Sequence, residues 1–138
     1  MYRTILVTVD GTPTDRAILE HIKPLAKLAG SHLVLFHVVT SAAAKFHGSE
    51  AAGHEVTEGE AYLAQLRAEF AAGGLEVETE LAFGDPAKEI INRVKTKGCD
   101  LVAMSTHGHK FMADLVLGTT AIKVQHGLSV PVLLLRAK

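Results

Sequence analysis

The chain has 138 residues, 48% of them hydrophobic and 21% charged, the size and balance of one globular domain with its own core. A formal net charge of −1 excludes the broad basic field that nucleic-acid binding needs, and the single cysteine, Cys99, excludes an internal disulfide. No apolar run approaches the roughly 18 residues of a spanning helix. The opening Met1 to Asp10 reads as a strand rather than an export signal. A cytoplasmic protein with neither nucleic-acid nor membrane partners is expected.

Thr4 to Val9 is a short, nearly continuous apolar run, the pattern of a strand buried on both faces. Thr12-Pro13-Thr14-Asp15 then offers an N-cap, a first-turn proline and a capping acid. The helix that follows runs from Thr14 to Ala29, with Ile18, Ile22, Leu25 and Ala29 at helical spacing, and Gly30 ends it. His32 to Val39 is the second buried strand.

Residues 40 to 54 lack a clear period and contain glycines, so an irregular segment is expected there, as a lid or an oligomer contact. Glu55 to Ala72 carries Leu63, Leu66 and Phe70 as a second helix before Gly73-Gly74. Glu76 to Ala82 alternates Val77, Thr79 and Leu81 with Glu76, Glu78 and Glu80, the pattern of an edge strand with one wet face. Asp85-Pro86 opens a third helix with Ile90, Ile91 and Val94 facing inward. Leu101 to Ser105 is a fourth strand, a last helix runs roughly from Thr119 to Gln125, and Val130 to Leu135 is the final strand.

This alternation implies right-handed crossovers and a single α/β domain over residues 1–138: a doubly wound, five-stranded parallel sheet with helices on both faces. Ligands of such sheets sit at the carboxyl ends of the strands, where strand order reverses. Two segments are placed there. Asp10 ends the first strand as an acceptor suited to ribose hydroxyls, the plainer alternative being a turn aspartate. After the fourth strand comes a polar loop with Gly108, and then Gly118 followed by Thr119 and Thr120 at the expected opening of the last helix. The first turn of a helix has unpaired amides and the positive end of the dipole, and glycine admits an anion closely, so a phosphate site is expected.

His107, His109 and Lys110 read as polar or cationic neighbours of that phosphate, or as a solvated loop. His47, His54, His107 and His109 do not close a tetrahedral set, so no metal site is assigned. No catalytic residue is assigned either. The chain lacks a P-loop and has no nucleophile with an evident base beside it, and Thr106-His107-Gly108-His109 matches the nucleotidyltransferase H-x-G-H signature only in part.

Three features together resemble the universal stress protein family over nearly the whole chain: the opening Ile-Leu-Val-Thr-Val-Asp-Gly-Thr, the mid-chain Phe-Gly-Asp-Pro-Ala, and the span from Met-Ser-Thr-His-Gly to Leu-Gly-Thr-Thr followed by Val-Pro-Val-Leu-Leu-Leu. The resemblance implies the adenine nucleotide alpha hydrolase-like fold with strand order 3-2-1-4-5. Nucleotide-binding members have the pattern G-x-x-G-x(9)-G-[ST]. Here Gly108 and Gly118 are separated by nine residues and Thr119 follows, while Ser105 stands at the first glycine.

Carried over residue by residue, the resemblance implies that Asp10 binds the ribose while Thr8 and Val38 line the adenine side. Met104, Ser105, His107 and Gly108 would surround ribose and phosphates, and Gly118, Thr119 and Thr120 would bind phosphate oxygens. The implied cofactor is ATP, or AMP or another adenine nucleotide, with Mg as its companion. The implied assembly is a homodimer through Val130 to Leu135 that regulates a stress response through a further, unidentified protein partner. Two alternatives stay open: a dimeric interaction module of the same family without nucleotide, and a weak ATPase or nucleotidyltransferase-like enzyme.

Overall fold

The computed structural model describes the backbone of residues 1–105 and 113–136, and the side chains of these residues other than 40–52 and 113–119. Strands and helices alternate throughout: β1 (Thr4–Thr8), α1 (Asp15–Ala29), β2 (His32–Thr40), α2 (Ser41–Ala72), β3 (Glu76–Gly84), α3 (Pro86–Lys97), β4 (Leu101–Ser105), α4 (Ala113–Gly127) and β5 (Val132–Leu135). The strands form one parallel sheet in the order β3-β2-β1-β4-β5, as expected. Ile5 of the central strand pairs in register with Leu33 on one side and Leu101 on the other.

Successive side chains of a strand point to opposite faces, so nearly continuous apolar runs supply two cores. Ile5, Val7, Leu33, Leu35 and Ala103 pack with Ile18, Leu19 and Ile22 of α1 and Leu63, Leu66 and Phe70 of α2. On the other face Leu6, Phe36, Val102 and Met104 pack with Ala87, Ile90 and Val94 of α3 and Val124 of α4. Each valine, leucine, isoleucine, methionine or phenylalanine among them, once fully buried, contributes about 1.5–3 kcal/mol relative to exposure. Both α1 and α3 end in glycines in the left-handed region, Gly30 and Gly98, each at φ 66. Their amides return to Ala26 O and Val94 O. Asp85 caps α3 by accepting from Lys88 N at 3.1 Å.

Three expectations are corrected. The segment 40–54 is not irregular: the helix spans Ser41–Ala72 as one element. Its alanines are strong helix formers, and each interior glycine costs only about 1 kcal/mol, so the helix forms without an apolar stripe to reveal it. The last helix begins at Ala113, not near Thr119. Gly118, Thr119 and Thr120 are therefore its sixth to eighth residues, past the first four amides that lack intrahelical partners. Finally, β3 is the expected edge strand, but its acidic face is wet only in part: Glu76 is exposed, whereas Glu80 pairs with Arg93 and Lys97, and Glu78 with Lys97, from α3.

A charge clamp joins α1 to α2. Glu69 accepts a two-pronged pair from Arg16 (2.7 and 2.8 Å) and a third bond from Lys23 (2.7 Å), and these cations hold its carboxyl down to about 2. A depressed carboxylate stabilises the fold above its ordinary range and loses that contribution as pH falls through the folded value. With one third of the Glu69 side chain exposed, solvent screening holds the gain near 1 kcal/mol. Glu69→Gln is therefore expected to lower unfolding free energy by about 0.5–1 kcal/mol at pH 7 in urea titrations, with the difference shrinking in high salt and vanishing near pH 2.

Candidate functional site

Strand order reverses between β1 and β4, and at the carboxyl ends of these strands lies a cavity of about 550 Å³. Thr8 and Asp10 enter it from the end of β1, Val38 from β2, Met104 and Ser105 from β4, and Thr120 from α4. Six residues singled out from the sequence thus meet around one space. His107 and Gly108 lie outside the described residues, as do His109 and Lys110; Gly118 and Thr119 lie in α4, where only the backbone is described. The cavity's further walls are Phe36 and His37 of β2, Pro86 and Ile90 of α3, and Glu55, Glu58, Gly59 and Tyr62 of α2.

Ser105 stands at the first glycine of the nucleotide pattern, and the structure explains why a side chain is tolerated. It is the last residue of β4, in register with Leu135 of β5. Among the described residues, Tyr2 (φ 56) alone outside glycine has a positive φ, so Ser105 is not strained. Its Oγ is buried and has no hydrogen-bond partner among the described residues. A buried hydroxyl without a partner is costly, and a ligand donor or acceptor in the cavity would satisfy it.

The turn from β1 to α1 is organised by a residue that sequence reasoning assigned another task. Asp15 was expected to cap α1. The N-cap position is Thr14, whose side chain makes no capping bond, and the Asp15 carboxylate instead turns back beneath the turn. There it is 3% exposed. The Asp10 amide donates to both of its oxygens (3.1 Å each) and the Gly11 amide to Oδ2 (3.0 Å). The Tyr62 hydroxyl of α2 donates to Oδ2 at 2.6 Å. Gly11 itself sits at φ 85, a conformation that suits glycine. Asp10 Oδ1 in turn accepts from the amide (2.9 Å) and hydroxyl (2.6 Å) of Thr12.

Burial pushes the Asp15 carboxyl up to about 7, the Tyr62 hydrogen bond opposes this, and the neighbouring charge of Asp10 adds to it. The Tyr62 phenol is pushed up as well, by burial and by its bond to Asp15. Tyr62 gives no signal in the sequence, where it is one more apolar position of a helix.

His37 donates its Nδ1–H to Val9 O at 2.9 Å, which fixes the ring against the floor of the cavity. A Cβ added at Gly59 would lie 2.8 Å from Leu81 Cδ1 and 3.0 Å from His37 Cδ2, so glycine there lets α2 come down onto the sheet. No group of three or more His, Cys, Asp or Glu suited to a metal ion occurs among the described residues. His54 is paired with Glu58 at 2.7 Å.

Comparison with known proteins identifies this architecture. The model of the universal stress protein family matches residues 1–136. The chain belongs to the universal stress protein family. A relative, universal stress protein YxiE of Bacillus subtilis, is 29% identical over 99% of this chain and 100% of its own length. The solved structure of MJ0577, a universal stress protein of Methanocaldococcus jannaschii, superposes with a TM-score of 0.85 at 24% identity, covering 100% of this chain and 98% of that one. Two more distant solved structures of universal stress proteins share the fold at 17% identity: a complex with cAMP (TM-score 0.72, covering 99% and 98%) and an Archaeoglobus fulgidus complex with dAMP (0.70, covering 96% and 97%).

The buried Asp15 makes the stability of this universal stress protein depend on pH in a stated direction. A carboxyl raised in the fold favours folding most below the ordinary aspartate range, and that favour is lost as pH rises through about 7. Relative to Asp15→Asn, the native protein is expected to lose on the order of 2 kcal/mol between pH 4 and pH 8 in denaturant titrations. A constant difference across that range would mean that Asp15 titrates as an ordinary aspartate.

Proposed function

We propose that this universal stress protein binds an adenine nucleotide in the cavity at the ends of β1 and β4, and that it acts in the cytoplasm as a dimeric regulator of a stress response. The observation that carries the reading is the convergence of Thr8, Asp10, Val38, Met104, Ser105 and Thr120 on one cavity at the point where strand order reverses. The cAMP and dAMP complexes of structural relatives support it.

Asp10 would take the ribose hydroxyls on the oxygen that Thr12 does not engage, Val38 and Thr8 would flank the adenine, and the unpartnered Ser105 hydroxyl would bond the sugar or a phosphate. His107, Gly108, Gly118, Thr119 and Thr120 would form the phosphate side, with Gly118 and Thr119 acting from inside α4 rather than from its first turn. ATP would bring its own Mg.

The test is direct. Denaturing freshly purified protein and analysing the released small molecules by mass spectrometry is expected to yield ATP, AMP or a cyclic nucleotide, and calorimetry is expected to give binding heat with that nucleotide. Asp10→Ala is expected to weaken binding at least tenfold, the value of a hydrogen bond to a charged acceptor. Absence of any released nucleotide, together with no heat for any adenine nucleotide, would favour the interaction module without ligand.

We also assign the dimer to β5. It is an edge of the sheet, bonded to β4 on one side, and Leu134 is 37% exposed. An apolar strand edge invites pairing with a second copy about a two-fold axis. Leu134→Glu is expected to convert the dimer to a monomer in sedimentation analysis without loss of helical signal.

A further inference from the structure

Asp10 and Asp15 are two carboxylates on one tight turn, and their hydrogen bonds are unevenly shared. Asp15 Oδ2 receives three donors, from Asp10 N (3.1 Å), Gly11 N (3.0 Å) and Tyr62 Oη (2.6 Å). Among the described residues, Asp15 Oδ1 receives only the Asp10 amide, at 3.1 Å, which it shares with Oδ2. Asp10 Oδ1 is engaged by Thr12. A proton on Asp15 is thus accommodated at Oδ1 without displacing Gly11 or Tyr62, and the Asp10 side chain is within hydrogen-bonding reach of the Asp15 carboxyl. Two carboxylates held this close, one of them buried, ionise together only at high cost.

We propose that Asp10 and Asp15 hold one proton between them at neutral pH, and that this proton sets the charge of the site, so that anionic nucleotides bind more tightly while it is present. The proposal rests on the nucleotide reading given above. With the proton in place the pair carries one negative charge; when the proton leaves to solvent it carries two, and a phosphate entering the same cavity meets the second. The rise of the Asp15 carboxyl to about 7, caused by burial and then by the Asp10 charge, puts this change in the physiological range.

The other charged groups around the pair leave the proton there. Arg16, next along α1, is bound to Glu20 and Glu69. From α2, Glu55 and Glu58 line the same cavity as further negative charges, and Tyr62 is the donor already named. From β2, His37 is held by Val9 O. The described linings from α3, β4 and α4 are Pro86, Ile90, Met104, Ser105 and Thr120, none of which ionises near neutrality.

The experiment measures affinity from pH 5.5 to 8.5 for two probes that do not titrate in that range: adenosine, which is uncharged, and the methyl phosphate ester of AMP, which carries one negative charge. In the native protein the ester is expected to bind about three- to tenfold more weakly at the upper end, as expected for one additional charge roughly 10 Å away in a partly screened site. Adenosine is expected to show no such change. With His107→Gln and His109→Gln present in both proteins, so that no imidazole of the β4–α4 connection titrates in the same window, Asp15→Asn, which cannot ionise, is expected to remove the pH dependence. Tyr62→Phe, which withdraws a donor from the ionised form, is expected to move the midpoint to higher pH.

A second measurement needs no ligand: carbon NMR of the aspartate side chains is expected to show one carboxyl titrating near neutrality that is missing in Asp15→Asn. A flat ester profile in native protein that binds adenosine, or a slope that persists in Asp15→Asn with both histidines replaced, overturns the coupling while leaving the nucleotide reading intact. Failure of both probes to bind at every pH overturns the nucleotide reading and the coupling with it. Aspartates that all titrate below pH 5 overturn the shared proton itself.

Discussion

The geometry of the cavity depends on one buried carboxylate. Asp15 ties the β1–α1 turn to α2 through two backbone amides and the Tyr62 hydroxyl, at 3% exposure. Backbone amides that face inward from a turn need an acceptor, and removal of a buried acceptor leaves each donor short by about 1–3 kcal/mol. The same contact fixes where Asp10 points, because the Asp10 amide is held from below while its side chain is held by Thr12. The position of Asp10, the approach of α2 and the width of the cavity therefore vary together.

The second constraint is how closely α2 can approach the sheet. Gly59 faces Leu81 and His37 at distances that a methyl group would shorten to 2.8 and 3.0 Å. At the far end of the helix, Glu69 is gripped by Arg16 and Lys23 of α1. Between these two points Leu63 and Leu66 are buried in the core, so the segment carrying Glu55, Glu58 and Tyr62 is fixed against the cavity from one side by packing and from the other by charge. The cavity wall from α2 is as much a product of the core as of the turn.

Much of this was legible in the sequence because it follows from local patterning. Continuous apolar runs gave strands covered on both faces, helical spacing gave Ile18 and Ile22 of α1 and Ile90 and Val94 of α3 as buried positions, though not Ala29, which is exposed, and Asp85-Pro86 gave a capped start that the structure reproduces. Period was a poor guide where no stripe exists. The first part of α2 is helical without an amphipathic signal, and Gly118 in α4 looked like a helix opening because glycine more often marks an end than an interior. The task of Asp15 was hidden for another reason. An acid beside a proline at a helix start is normally a cap, and only the fold shows that Tyr62, 47 residues away in the chain, completes its set of donors.

The distribution of charge around the cavity gives a ligand a direction. Asp10, Asp15, Glu55 and Glu58 all lie on the walls formed by the β1–α1 turn and α2, and no lysine or arginine is among the described lining residues. A phosphate placed against those walls would meet up to four carboxylates, whereas sugar hydroxyls placed there would find acceptors. The opposite wall carries the hydroxyls of Ser105 and Thr120, and the chain that joins β4 to α4 contains His107, His109 and Lys110. A nucleotide bound as proposed would lie with its ribose toward Asp10 and its phosphates toward α4, because the reverse orientation would set like charges together while leaving the hydroxyl donors of the sugar without an acceptor.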